Sequence, residues 1–249
     1  MPESILFPAL GALILTVTLL RAKTARAATT DTLKTSEGPL TIGLIGHGSL
    51  YFEWSGAVIQ VDPYSKAGDY GALPKADMVL ITHEHQDHLD PEALVQTLKP
   101  GAHVIANTAA AARTPQAALL KNGETLTLPG IAILAVPAYN MTHKRPDGEF
   151  YHPKGVGNGY VLTFGDKRVY VAGDTEDIPE MAALAGVDVA FIPVNLPYTM
   201  TPEMAAHAAQ LLKAKILYPY HTGDTDMAKL NALLKKEAPG TDIRIRPMR

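Results

Sequence analysis

Hydrophobic and polar positions alternate in short blocks along most of the chain. "LTIGLIG", "SLYFEW" and "AVIQVD" read as strands separated by Gly and Ser, a meander signature. "ADMVLITH" is a continuous apolar run of buried-strand type. "DPEALVQTLK" follows, with Asp as an N-cap, Pro at the first helical position and apolar residues at helical spacing. "AHVIANT" predicts a strand, "TPQAALLKN" a helix, and "ETLTLPG" and "IAILAVPA" two more strands. A loop rich in Gly, Pro and charge spans Tyr139 to Gly159. "YVLTFGDKRVYVAGD" predicts a hairpin turning at Gly165-Asp166, and "IPEMAALAG" a helix. Strand "VDVAFIPV", helix "TPEMAAHAAQLLKAK", strand "ILYPYH", helix "DMAKLNALLKKEA" and strand "IRIRP" complete the pattern. No internal repeat, linker or low-complexity segment is visible. Meandering strands dominate the first half and alternating strand and helix the second. One α/β domain with more than one sheet is expected.

The first residues break this pattern. "ILFPALGALILTVTLL" is an apolar run followed by "RAKTARA", and Ala25-Arg26-Ala27 has the small-x-small form of a cleavage site. Residues 1–27 are therefore expected to be a signal peptide and 28–249 the mature domain, exported to a bacterial periplasm. The alternative is an uncleaved N-terminal membrane anchor, favoured by Glu3 and by the absence of Lys or Arg before the run. A cleaved chain is expected to have no stable membrane association.

The 249 residues carry a formal net charge of −3 and are 47% hydrophobic. That supports a substantial core and gives no reason to expect nucleic-acid binding. Cysteine is absent, so any metal site must use His, Asp and Glu.

"THEHQDHLD" places His83, His85, Asp87 and His88 within six residues. His83 and His85 are two apart and face one side of an extended backbone, so two imidazoles can hold one metal. Asp87 and His88 follow on the turn and can reach a second. Position adds to density. Asp62 ends "AVIQV", His83 ends "MVLIT", Asp174 ends "VYVAG" and His221 ends "ILYPY". Ligand sites of open α/β sheets lie beyond the carboxyl ends of strands.

"HEHQDH" resembles the HxHxDH signature of the metallo-β-lactamase-fold hydrolases. "GHGSLYFEWSGAVIQVDPY", "VPAYN", "HPKG", "VYVAGDTEDIPEM" and "YPYH" are similar, in order, to motifs of the branch containing ascorbate-6-phosphate lactonase-like proteins. The resemblance implies a four-layer αββα sandwich with a dinuclear metal site on its edge. It implies that His83 and His85 bind the first metal with a third histidine. Asp87, His88 and His221 would bind the second, and Asp174 would bridge both. A hydroxide between the metals, oriented by Asp87, would attack an ester, lactone, amide or phosphodiester of a small-molecule substrate. The donor set suits Zn²⁺, with Mn²⁺ and Fe as alternatives. Rival readings are a di-iron redox protein of the same fold, which usually has Glu where His85 stands, and a non-catalytic metal-binding protein.

The third histidine departs from the family pattern, because Tyr139 and Asn140 stand where many relatives place it. His152 and His143 are the candidates. Lys144 and Arg145 beside His143 oppose a cation. Pro153 restricts His152 to extended backbone, and "HPKG" belongs to the resemblance. His152 is favoured, with Asn140 held as a substitute. His103 and His207 have no clustered partners and read as ordinary histidines. His47 reads as a turn residue, a support or a substrate-facing group. Asp62 reads as support for a ligand histidine, Trp54 as packing, and Lys235-Lys236-Glu237 as a solvated helix face.

Overall fold

The computed structural model describes residues 28–249. The predicted signal peptide lies outside the described residues, as does its reading as an anchor. Among the described residues no helix is long and apolar enough to cross a membrane.

Two seven-stranded sheets form the centre. The first holds β1 (Thr29–Thr35), β2 (Gly38–Gly46), β3 (Ser49–Trp54), β4 (Ala57–Val61), β5 (Ala76–Ile81), β6 (Leu98–Ala106) and β7 (Ala117–Leu119). The second holds β8 (Thr125–Leu128), β9 (Ile131–Ala138), β10 (Gly157–Phe164), β11 (Lys167–Val171), β12 (Val189–Pro193), β13 (Ile216–Tyr220) and β14 (Asp242–Ile243). Strand order follows chain order in both. Period-two alternation sends Leu40, Ile42, Phe52, Ile59 and Leu80 inward against Ile133, Leu162, Val171 and Phe191 of the other sheet. The intervening residues point outward. Val79 and Ile81 meet Leu94 of α1 (Pro91–Thr97) and Ala110 of α2 (Thr108–Arg113). Tyr170 and Ala190 share a cluster with Ala205 and Leu212 of α3 (Pro202–Leu212) and with Leu230 of α4 (Met227–Glu237). The expected four-layer αββα sandwich is the observed one.

Four sequence expectations change. "TPQAALLKN" is not a helix. The helix is the preceding Ala-rich α2, capped by the Asn107 side chain, and Pro115 directly follows its end at Thr114. Ala117–Leu119 then pairs in parallel with the free edge of β6, a tertiary demand that overrides alanine's helical preference. β1 was not anticipated. "IPEMAALAG" forms a 3₁₀ helix over Pro179–Leu184 rather than an α-helix. The last strand is Asp242–Ile243 rather than "IRIRP", and Arg246 turns aside to Asp31.

The halves also prove alike. β1–β4 are antiparallel and β4–β7 parallel; β8–β11 are antiparallel and β11–β14 parallel. The sequence had shown no repeat, and it had assigned the meander to one half and the α/β alternation to the other.

Asp31 on β1 joins the two sheets. Arg246 Nη2 donates to its two oxygens at 3.1 and 2.9 Å, and the Tyr218 hydroxyl donates at 2.5 Å. Burial alone would raise its pKa. The donors and the charges of Arg246 and Arg244 outweigh burial and hold the carboxyl below its ordinary 3.8. A depressed folded pKa contributes stability above the unfolded pKa, and this is lost as pH falls through the folded one. The unfolding free-energy gap between wild type and Asp31→Asn, measured with urea, should be full at about pH 6 and shrink below about pH 4. A gap constant to pH 3 would contradict the ion-pair account.

Candidate metal centre

The chemistry-bearing side chains meet where strand ends of both sheets converge. Asp62 follows β4, His83 is two residues past β5, Asp174 three past β11, and His221 directly follows β13. His47, Asp62 and His221 hold left-handed backbones, with φ of 52°, 46° and 47°. Such conformations are costly for non-glycine residues and gather at functional sites. Gly48 has a packing reason, since a Cβ there would lie 2.8 Å from His88 Cε1.

Ligand-capable atoms form three overlapping groups: His83, His85 and His152; His47, Asp87, His88 and His221; and His83, His88 and Asp174. Asp174 lies between the first two. Its oxygens are 3.4 Å from His152 Nε2, 3.5 Å from His88 Nε2, 3.6 Å from His221 Nε2 and 3.9 Å from His83 Nε2. Asp87 Oδ2 is 3.6 Å from His221 Nε2 and 3.8 Å from His88 Nε2. All seven residues expected from the sequence are brought together. His143 is not. Its backbone N–H and ring Nδ1 both meet Glu176 Oε1 at 2.7 Å.

Hydrogen bonds set the tautomer of several rings. Thr82 Oγ1–H donates to Asp62 Oδ2 at 2.5 Å, so Oγ1 can accept from His83 Nδ1–H at 3.0 Å. His88 Nδ1–H donates to the same Asp62 oxygen at 2.8 Å. One fully buried carboxylate thus points Nε2 of both rings inward. His152 Nδ1–H donates to Asn140 Oδ1 at 2.8 Å, and Asn140 Nδ2 donates to Glu176 Oε1 at 3.0 Å. Asn140 therefore orients His152 and is not its substitute.

A metal fits this arrangement on one observation above others. His88 Nε2, His152 Nε2, Asp174 Oδ1 and both His221 ring nitrogens are buried without a hydrogen-bond partner. Buried polar atoms without partners are costly unless a further ligand takes them. The electrostatics agree. Burial pushes His152 down to about 4, a neutral ring. Burial also opposes charge on His88, but Asp174, Asp62 and Asp87 outweigh it and raise His88 to about 10, so the metal-free ring is a cation; the same three carboxylates would favour a metal ion in place of its Nε2 proton. Burial would raise Asp174, yet His221, His88, His152 and His83 hold it well below the carboxylate range. Burial pushes the Asp62 carboxyl up, and His88 and Thr82 pull the other way.

Asp62 bonds the His88 ring directly and the His83 ring through Thr82, a supporting position for two of the candidate ligands. His47 combines its readings: it sits at a turn, and its Nε2 donates to Asp87 Oδ2 at 2.9 Å. His207 pairs with Asp177 on the surface and His103 is exposed. Trp54 packs in the inter-sheet core, and Lys235 and Lys236 are exposed. Glu176 and Thr82 escaped the sequence reading. Glu176 is buried and accepts from the backbone N–H groups of Met141, Thr142 and His143. Its one signal is its place two residues after Asp174 in "GDTED".

A cleft of about 430 Å³ opens onto the cluster, lined by His85, Arg145, Tyr151, Asn195 and Tyr198 among others.

The fold is that of a known class. The family model described as Beta-lactamase superfamily domain matches residues 41–221. A UPF0173 metal-dependent hydrolase of Thermococcus kodakarensis is 30% identical over 193 residues, 72% of this chain and 83% of that one. One from Enterococcus faecalis is 32% identical over 191 residues, 72% and 85% of the two chains. A solved structure from Parabacteroides distasonis, assigned to the metal-dependent hydrolases, is 49% identical with a TM-score of 0.84, covering 89% of this chain and 100% of that one. Igni18, a metallo hydrolase from Ignicoccus hospitalis, is 26% identical with a TM-score of 0.68, covering 89% and 97%. The chain belongs to the β-lactamase superfamily, and within it is a metal-dependent hydrolase similar to the UPF0173 proteins.

Proposed function

We propose that this hydrolase holds two divalent ions, most simply Zn²⁺, and cleaves an ester, lactone, amide or phosphodiester bond in a small molecule. The observation carrying the proposal is the position of Asp174 between two sets of imidazole nitrogens, several of them buried without a partner. His83, His85 and His152 would hold one ion, Asp87, His88 and His221 the other, with Asp174 shared. Ions bound there would supply Lewis acidity, polarising a carbonyl or phosphoryl oxygen and bringing the pKa of water near neutrality. The chain's own groups do the rest. Asp87, steadied by His47 Nε2–H on its Oδ2, orients the attacking water. Asp62, Thr82 and Asn140 keep the rings in the ligating tautomer.

Elemental analysis of gently purified protein should give two metal ions per chain. A ratio that never exceeds one after metal is added back would sink the dinuclear assignment. His152→Ala should lose the first ion and at least about tenfold in activity. His143→Ala should keep both ions, since its ring bonds Glu176. The reverse pattern would move the ligand role to His143.

A further inference from the structure

His85 has one ring nitrogen turned into the cluster and the other into the cleft, each against a hydrogen-bond partner. Nδ1 points inward, 3.1 Å from His83 Nε2. Nε2 points into the cleft, 3.2 Å from Arg145 Nη2. His83 Nε2 carries no proton, because His83 Nδ1–H is committed to Thr82. So in the metal-free protein His85 Nδ1–H donates to His83, and His85 Nε2 accepts from Arg145. A metal changes this by simple tautomer chemistry. His85 can offer Nδ1 to an ion only by losing the Nδ1 proton. The neutral ring then carries its proton on Nε2: one is released inside, one taken from solvent at the cleft, and the ring's charge is unchanged. Nε2–H now faces a guanidinium, which has donors only. Two donors about 3 Å apart cannot satisfy each other. They suit an acceptor oxygen placed against both.

The surroundings tell what that oxygen belongs to. Arg145 is fixed at the cleft mouth by a tight turn, with its N–H on Glu149 O at 2.7 Å and its carbonyl accepting from Gly148 N at 3.0 Å. Its guanidinium lies 5.8 Å from the Tyr151 ring centroid, and Tyr151 packs edge-on against Tyr198 at 5.0 Å. On the same segment as Asn195 of the cleft, Leu196 and Tyr198 are exposed by 47% and 44%. Charge and apolar surface therefore sit side by side at the opening. From this geometry we infer that the substrate carries an anionic oxygen group, carboxylate or phosphate, which binds between His85 Nε2–H and Arg145, with an apolar portion against Tyr151 and Tyr198. Arg145 is the specificity determinant, and its anion site forms only when metal is loaded. The inference rests on the proposed metal centre and names the substrate class of that site.

The test uses the zinc-loaded full chain and three probes: benzoate, phenyl phosphate and neutral benzyl alcohol. Calorimetry should show at least one of the two anions binding about tenfold or more tighter to wild type than to Arg145→Ala. Benzyl alcohol should not distinguish the proteins. Whichever anion loses more identifies the group as carboxylate or phosphate. Arg145→Lys, which keeps the charge and loses the planar fork, should fall between. Arg145 is exposed on a turn, and circular dichroism confirms that the variants fold. Nitrogen-15 NMR of the imidazoles should show His85 protonated at Nδ1 without metal and at Nε2 with it. Affinities within twofold for both anions in wild type and Arg145→Ala overturn the inference, as does a zinc-loaded His85 that keeps its proton on Nδ1. Failure of the metal centre itself is read separately, from metal content.

Discussion

Asp174→Ala is expected to lower kcat/KM by about a thousandfold or more while leaving most of the fold intact. The residue is buried, lies within 3.9 Å of four imidazole nitrogens, and is the one carboxylate they share. Removing it takes away the negative charge that would hold two cations close together. Metal-assisted polarisation supplies several kcal/mol to such reactions, and each 1.36 kcal/mol is about tenfold in rate. The measurement pairs steady-state kinetics on an activated ester with metal content and circular dichroism. Full activity with two ions retained would remove Asp174 from the proposed bridge.

Asp62→Ala should act on stability as well as on metal. Its carboxylate accepts from Thr82 N, Thr82 Oγ1 and His88 Nδ1, at 2.8, 2.5 and 2.8 Å, with no exposed surface. Deleting one partner of a buried charged pair costs about 3–5 kcal/mol, here chiefly the lost bonds to His88 Nδ1 and Thr82, since Asp174 and Asp87 still face the His88 ring. For a domain of this size that is a fall in Tm of roughly 6–20 °C. Metal affinity should fall too, since the rings of both His83 and His88 lose their orientation. Calorimetric unfolding of the metal-free variant isolates the first effect. An unchanged Tm would mean that His88 simply releases its proton and that Asp62 only orients.

Much of the candidate site was legible in the sequence because it is local. HEHQDH gathers four donors in one turn, and three further donors stand at strand ends or before a proline. Strand termini can be read from hydrophobic periodicity, so those donors could be placed without a structure. What supports them could not. Glu176 reaches Asn140 across 36 residues, and Thr82 carries the Asp62 constraint to His83 through a hydroxyl that reads as one more strand residue. The misread segments share a cause. Ala117–Leu119 is extended because β6 offers an edge, and β1 exists because β2 does; neither demand is written in the local pattern. The likeness of the two halves was hidden for the same reason. Strand order and sense survive where residue identities do not.

That likeness gives the metal a second office. In the proposed assignment His83, His85, Asp87 and His88 come from one half, and His152, Asp174 and His221 from the other. Neither half alone offers both shells. An ion bound here is a rivet through the seam of the sandwich. Each tenfold of free metal above its dissociation constant adds about 1.4 kcal/mol to the grip between the sheets, and nothing to either sheet by itself. Chelation would therefore loosen the joint before it loosened the parts.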